Sequence, residues 1–193
     1  MIKKGDLSNL VLINLFNLFG MTRSLLPVFA IAELKMSAKD YGLAIAFGNI
    51  GPVLGAVINS HLKNKINTKT ILFLGSLLAG FGLFLFPFAT EKKALLWVSL
   101  PLAISGLGAS LFNINQLSIR QKITPLPLLG RMNATFRFFI WGSIPVGAYL
   151  GGALGESIGL RETFVVAAVG SILGVIPLIS LLKIKAIDNE QYC

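Results

Sequence analysis

Residues 95–117 read LLWVSLPLAISGLGASLFNINQL, a run without one charged side chain, bounded by Lys92 and Lys93 before it and by Arg120 and Lys122 after it. About 20 apolar residues, rising 1.5 Å each as a helix, cross the hydrocarbon core of a bilayer. A soluble helix would intersperse charges through such a length. Working outward, the same reading applies to Ser8–Ala32, Tyr41–Leu62, Thr70–Ala89, Asn133–Ile158 and Thr163–Leu182. The chain as a whole is 54% hydrophobic, with a mean hydropathy of +0.78. The expectation is an all-α membrane protein: a six-transmembrane-helix bundle forming a single domain over residues 1–193, with little room for any soluble domain.

The net charge of +9 would suggest nucleic acid in a soluble protein. Here it has a different cause, the retention of Lys and Arg on the cytoplasmic side during insertion. With the N-terminus inside, the inner segments hold Lys3, Lys4, Lys63, Lys65, Lys69, Arg120, Lys122, Arg131, Lys183 and Lys185, and the outer segments hold Lys35, Lys39, Lys92, Lys93 and Arg161. The five outer cations lie among Glu33, Asp40, Glu91, Glu156 and Glu162, whereas the two inner loops between spans contain no acid. Both termini are therefore expected in the cytoplasm. The start of the chain, Lys3-Lys4 followed by an apolar run and Ala30-Ile31-Ala32, has features of a cleavable signal. Arg23 and Pro27 interrupt that run, which is also long for a signal, and the reading as a span is preferred.

Catalysis finds no support. The single cysteine, Cys193, excludes an intramolecular disulfide and a cysteine metal cluster, and its ending lacks the prenylation pattern. The single histidine, His61, cannot build a metal site alone and reads as an interfacial residue. No Walker loop, zinc-ligand pair or Gly-x-Ser-x-Gly elbow occurs, so no enzyme activity, cofactor or metal is expected. No Asp or Glu lies in the middle of any span, and Glu156 is the nearest. Proton relays in membranes use buried carboxylates or histidines, so this chain shows no proton-coupling residue of its own.

The outer connections, Glu33–Asp40, Thr90–Ala94 and Gly159–Glu162, are short and force antiparallel neighbours. The inner connection Ser118–Met132 is longer, basic and interrupted by Pro125 and Pro127, and is expected as a loop at the membrane surface. Small residues crowd the spans: Gly48, Gly51 and Gly55 in the second, Gly75, Gly80 and Gly82 in the third, and Gly147, Gly151, Gly155 and Gly159 at four-residue spacing in the fifth. Such faces let helices approach closely in lipid, in a fixed bundle or in one that rocks. Prolines inside the spans, at Pro27, Pro52, Pro87, Pro101, Pro145 and Pro177, remove backbone donors and predict kinks. Lipid tolerates the freed carbonyls only where protein or a water-filled cavity satisfies them, which suits a transporter better than a rigid anchor.

Among polar residues in the spans, Arg23 stands out. An Arg at the centre of a span costs about 2.5–3.5 kcal/mol on the insertion scale, and an intramembrane ionisable group is by default a functional candidate. The alternative is a side chain reaching the outer headgroups. Asn14 and Asn17 share the first span, but Asn14 lies nearly opposite Arg23 on a regular helix, so all three cannot line one path. Asn113, Gln116 and Arg120 follow i, i+3, i+7 and predict one polar stripe at the inner end of the fourth span. Asn133, Arg137 and Trp141 predict a second on the fifth, as an inner gate or a hold on the basic loop. The substrate-path candidates are thus Asn14, Asn17, Arg23, Asn113, Gln116, Arg137 and Trp141.

The segments Asn113-Ile114-Asn115-Gln116, Arg120-Gln121, Thr124-Pro125, Leu129-Gly130-Arg131-Met132-Asn133-Ala134-Thr135-Phe136-Arg137 and Trp141-Gly142, with Gly151-Gly152, Gly155-Glu156 and Gly159-Leu160-Arg161, resemble the second half of major facilitator superfamily transporters. More narrowly they resemble the bacterial drug and siderophore efflux branch, of the macrolide- and enterobactin-exporter type. The stretch Gly55 through Lys69 is similar to a degenerate copy of that family's Gly-rich basic loop: it keeps Gly55, Lys63 and Lys65 and lacks the acid and the later glycine. The resemblance implies half of a twelve-helix fold, with the first, second, fourth and fifth spans contributing to a central cavity and the coupling acids carried by the other half. It further implies a multi-pass protein of the bacterial cytoplasmic membrane that exports small amphipathic molecules by alternating access. The implied partners are the lipid bilayer, a small-molecule substrate, and a separate six-span N-terminal half or a second copy of the chain, without nucleic acid. A non-transporting six-span assembly protein and a self-paired homodimeric transporter or channel are the alternatives.

Overall fold

The proline in the first apolar stretch decides how its outer end is built. The computed structural model describes residues 22–173, and all its elements there are helical. Helix α1 (Thr22–Val28) carries Pro27, and the backbone then widens into a π-turn over Phe29–Glu33, a common adjustment where the α-helical ladder is interrupted. Ser37 caps the next helix, α2 (Ala38–Gly48), its Oγ accepting the Asp40 backbone N–H at 3.1 Å. There follow α3 (Ile50–Leu62), α4 (Thr68–Phe84), α5 (Ala94–Ile123), α6 (Leu129–Ile158) and α7 (Leu160–Leu173). Short 3₁₀ turns lie at Phe86–Phe88, Glu91–Lys93 and Leu126–Leu128.

Among the described residues, four helical stretches are long and apolar enough to cross a membrane: Ala38–Leu62, Thr68–Phe88, Glu91–Lys122 and Leu126–Ile158; Ser24–Glu33 is a shorter apolar one. The first and sixth apolar stretches lie partly outside the described residues.

The kink expected at Pro52 is present as a break: the second span is two helices, α2 and α3, meeting at Asn49. One feature departs from the sequence reading. The inner connection is not a loop over Ser118–Met132, since α5 runs on to Ile123 and α6 begins at Leu129. A 30-residue helix is about 45 Å long, well past a hydrocarbon core of about 30 Å. Ser118, Arg120, Gln121 and Lys122 therefore continue the helix into the aqueous boundary, where nothing obliges it to stop. Pro125 ends it by pushing the preceding Thr124 to extended backbone, at ψ 125°.

Helix α5 is the axis of the bundle, packed along α2, α3 and α4, while α7 packs on α4 and α6 touches mainly α1 and α7. Glycines set the spacing around α5. A Cβ on Gly51 would run into the Ala103 backbone; one on Gly82 would lie 2.5 Å from the Ser105 nitrogen, and one on Gly75 2.9 Å from the Gly108 carbonyl. In the fifth span the four-residue series divides. Gly147 and Gly151 are buried, Gly155 lies against Leu160, and Gly159 ends α6 at φ 100°, a backbone that side chains rarely adopt.

Among the described residues the densest core sits beside the connections Glu33–Asp40 and Thr90–Ala94. Phe29, Leu34, Met36, Phe86, Val98 and Phe164 are buried there together, and the Phe164 ring packs against both Phe29 and Phe86 with centroids 5.0 Å apart. Residues of α6 contribute nothing to this cluster. The outer ends of α1, α2, α4, α5 and α7 therefore form one packed body, and α6 leans on its side.

Candidate functional site

Pro52 brings no N–H, so the Gly48 carbonyl one turn earlier cannot receive its usual helical bond from that position. The helix breaks at Asn49, whose own N–H still donates to the Ile45 carbonyl at 3.0 Å. The proline ring is braced from the other side: a Cβ on Gly106 of α5 would sit 2.6 Å from Pro52 Cδ. Asn49 lies midway along the Ala38–Leu62 stretch. At that depth an interrupted backbone is tolerated where protein or a cavity covers it. A half-open cleft of about 240 Å³ lies there, between α1, the α2–α3 break and α5, lined by Leu26, Tyr41, Ile45, Gly48, Asn49, Pro52, Leu102 and Gly106. No Asp, Glu, His, Lys or Arg lines it among the described residues; its polar groups come from Tyr41, Asn49 and the backbone.

Toward the inner end, polar side chains stitch α3, α5 and α6. Asn115 Nδ2 donates both to Asn59 Oδ1 of α3 and to the Leu111 carbonyl, at 2.5 and 2.8 Å. Both asparagines are buried. Next to Asn115, Gln116 is 3% exposed and its Nε2 finds no acceptor. One turn on, the Arg120 guanidinium lies 4.2 Å from the centre of the Phe136 ring of α6, a cation–π contact, with Nε unpartnered. Arg120 is only 8% exposed, so this contact ties α5 to α6.

The outer end is closed by one guanidinium. Arg161, in the first turn of α7, donates from Nε to Glu33 Oε2 at 3.0 Å, from Nη1 to the Pro87 carbonyl at 2.6 Å and from Nη2 to the Ala89 carbonyl at 3.1 Å. One carbonyl lies within the 3₁₀ turn Phe86–Phe88 and the other just after it, where α4 has ended, and Arg161 satisfies both. A salt bridge between Lys35 and Glu91, 3.0 Å long, joins the same two outer connections. Two of the five outer cations are thus paired with acids.

The substrate-path candidates distribute unevenly over this framework. Asn14 and Asn17 lie outside the described residues. Arg23 falls on the α1 backbone, and its side chain lies outside the described part. Gln116 and Arg120 are buried together, whereas Asn113 is exposed, just past the border of the buried face that Leu111, Phe112, Asn115, Gln116 and Ile119 define. The predicted stripe is therefore split, and Asn115 takes the interhelical bond. Arg137 and Trp141 share the open face of α6, with Trp141 71% exposed. The sequence reading missed Asn49 and Tyr41 in the cleft and Asn59 in the inner cluster. The signal for the first was present: a polar residue three before a mid-span proline, in Asn49-Ile50-Gly51-Pro52.

The sequence profile of the Major Facilitator Superfamily matches residues 10–190. The fold is similar to that of tetrameric PepTSo2, with a TM-score of 0.71 at 20% identity over 95% of this chain and 41% of the other. It is similar also to a peptide transporter POT mutant in complex with alafosfalin, with a TM-score of 0.70 at 24% identity over 96% of this chain and 40% of the other. The chain thus spans about two fifths of the length of these structures. No curated protein matches it in sequence. The chain belongs to the Major Facilitator Superfamily and is a multi-pass membrane protein with a transporter's fold, not an enzyme's.

Proposed function

We propose that this chain forms the C-terminal-type half of a secondary active transporter, a single six-span domain that exports small amphipathic molecules across the bacterial cytoplasmic membrane by alternating access. The observation that carries this reading is the cleft at the broken second span. It lies midway along the second span, between α1, α2–α3 and α5, three of the four spans that a six-span half of this family turns toward its cavity. The fourth such span, α6, leaves Arg137, Trp141 and Tyr149 exposed and is the wall that faces the opposite half. That half, on a separate polypeptide or on the same one, supplies the other wall and the acids for proton coupling. The excess of basic residues on alternate connections supports cytoplasmic termini. The efflux branch rests on the resemblance of residues 111–168 to drug and siderophore exporters. Peptide, named for the two similar structures, is less well supported, because the cleft offers no counter-charge to a peptide's ionised termini. Asn14, Asn17, Arg23, Asn113, Gln116, Arg137 and Trp141 remain the proposed lining of the path.

A self-paired form is the second reading, favoured by the open face of α6, which a second copy could cover. Drug and siderophore export by cells producing this chain, alone and with a matching six-span first half, tests both. Export only with the partner half supports the first reading, and export by the chain alone the second. Correct insertion without export in either case would sink both and leave an assembly protein. Arg23→Leu is expected to preserve insertion while abolishing export; unchanged export would remove Arg23 from the path.

A further inference from the structure

The cleft at the α2–α3 break has a chemistry that narrows what it can hold, given the transporter reading on which this step rests. Its walls are apolar at Leu26, Ile45, Pro52 and Leu102. The polar groups that interrupt them are neutral. The Gly48 carbonyl cannot receive a bond from Pro52, and among the described residues no hydrogen bond holds the Asn49 side chain or the Tyr41 hydroxyl. The Gly48 and Asn49 oxygens thus offer acceptors, and no side chain of either charge lines the cleft among the described residues. An ionised group moved from water into such a site loses its hydration without gaining a counter-charge, whereas a hydroxyl or amide N–H recovers its lost bond from a carbonyl oxygen. The volume of about 240 Å³ is below that of sites enclosing a whole drug-sized ligand, about 300–1,000 Å³.

We infer that this cleft receives one ring-sized, uncharged portion of the transported molecule, bearing a hydroxyl or amide N–H that donates to the Gly48 carbonyl and Asn49 side-chain oxygen, and that it rejects carboxylates and ammonium groups. The ring packs between Pro52 and Leu102, and the Tyr41 hydroxyl closes the outer side. The rest of the substrate extends into the space bordered by α6.

The test is direct binding, which does not require export. The full chain in lipid nanodiscs is titrated with 4-phenylbutanol, 4-phenylbutylamine and 4-phenylbutyrate, which share one skeleton and differ in charge. Binding is followed by saturation-transfer NMR against empty nanodiscs. The alcohol is expected to bind about tenfold or more tightly than either ion. The Asn49→Leu and Tyr41→Phe double variant, which alters only side chains facing the cleft, is expected to lose that preference while keeping the wild-type thermal midpoint. Ile45→Trp, which fills the cleft, is expected to remove binding altogether. Equal or tighter binding of either ion, an unaltered preference in the double variant, or no specific binding by the alcohol would each overturn the inference. Because export is scored separately with the partner half, a charged preference with intact export would overturn this inference alone, and absent export with selective alcohol binding would overturn the transport reading alone.

Discussion

Arg161 shows how much one side chain can hold when its geometry is right. A planar guanidinium offers donors in a fixed fork, and here three of them reach one carboxylate and two carbonyls on separate connections. Hydrogen bonds to charged groups contribute about 1.5–3 kcal/mol each when buried, but the Arg161 side chain is 41% exposed, and solvent screens the carboxylate contact. Arg161→Leu is therefore expected to destabilise the fold by about 1–3 kcal/mol, read as a lower thermal midpoint in detergent, with Arg161→Lys intermediate because an ammonium cannot reach all three acceptors. A midpoint unchanged in the leucine variant would show that the aromatic core beneath it suffices. The inner asparagine pair belongs to a weaker class, since interhelical side-chain bonds in membrane proteins average about 0.6 kcal/mol. A double-mutant cycle with Asn59→Leu and Asn115→Leu should give a coupling of about 0.5–2 kcal/mol. A coupling indistinguishable from zero would mean that lipid or water serves each amide equally well.

Helix positions were legible in the sequence because the bilayer writes them in charge and hydropathy; helix ends and partners were not. The second, third, fourth and fifth apolar stretches correspond to the four long helical stretches of the structure, but the charges that mark the edge of the hydrocarbon do not mark the end of a helix. Hence α5 and α6 overrun the expected loop by several residues on each side. Periodicity placed Asn113, Gln116 and Arg120 on one stripe correctly as angles, yet only packing decides where the border of the buried face falls, and Asn113 falls outside it. The broken second span was foreshadowed by Pro52, while Asn49 and Tyr41 became visible as a pair only once α1 and α5 closed the cleft around them. Glycine had the same limit: sequence shows a smooth face and structure shows which members touch a backbone. Gly51→Ala should be poorly tolerated, because its Cβ meets Ala103 main chain rather than a movable side chain; overpacking of this kind costs about 1–3 kcal/mol or more. Gly152→Ala, with open space around it, should be neutral or stabilising by up to about 1 kcal/mol, as expected for glycine in a helix. Yields of monodisperse protein and thermal midpoints of the two variants check this, and a Gly51→Ala protein as stable as the parent would show that α3 and α5 can separate without loss.

At the scale of the whole molecule, the charges of the described residues divide between the two ends of the bundle. The outer end has an aromatic core, the Arg161 fork and the Lys35–Glu91 bridge, so its basic residues are partly neutralised by acids that tie connections together. The inner end has Lys63, Lys65 and Arg131 exposed, which is where uncompensated cations are retained during insertion. Among the described residues the inner end is joined by the Asn59–Asn115 bond and the Arg120–Phe136 contact. The orientation itself is testable by single cysteines in a Cys193→Ser background. Lys92→Cys, on the Glu91–Lys93 turn, should react with a membrane-impermeant maleimide in intact cells. Lys65→Cys, between α3 and α4, should react only after the membrane is permeabilised. The reverse pattern would place the termini outside and reverse the direction in which the proposed cleft is loaded.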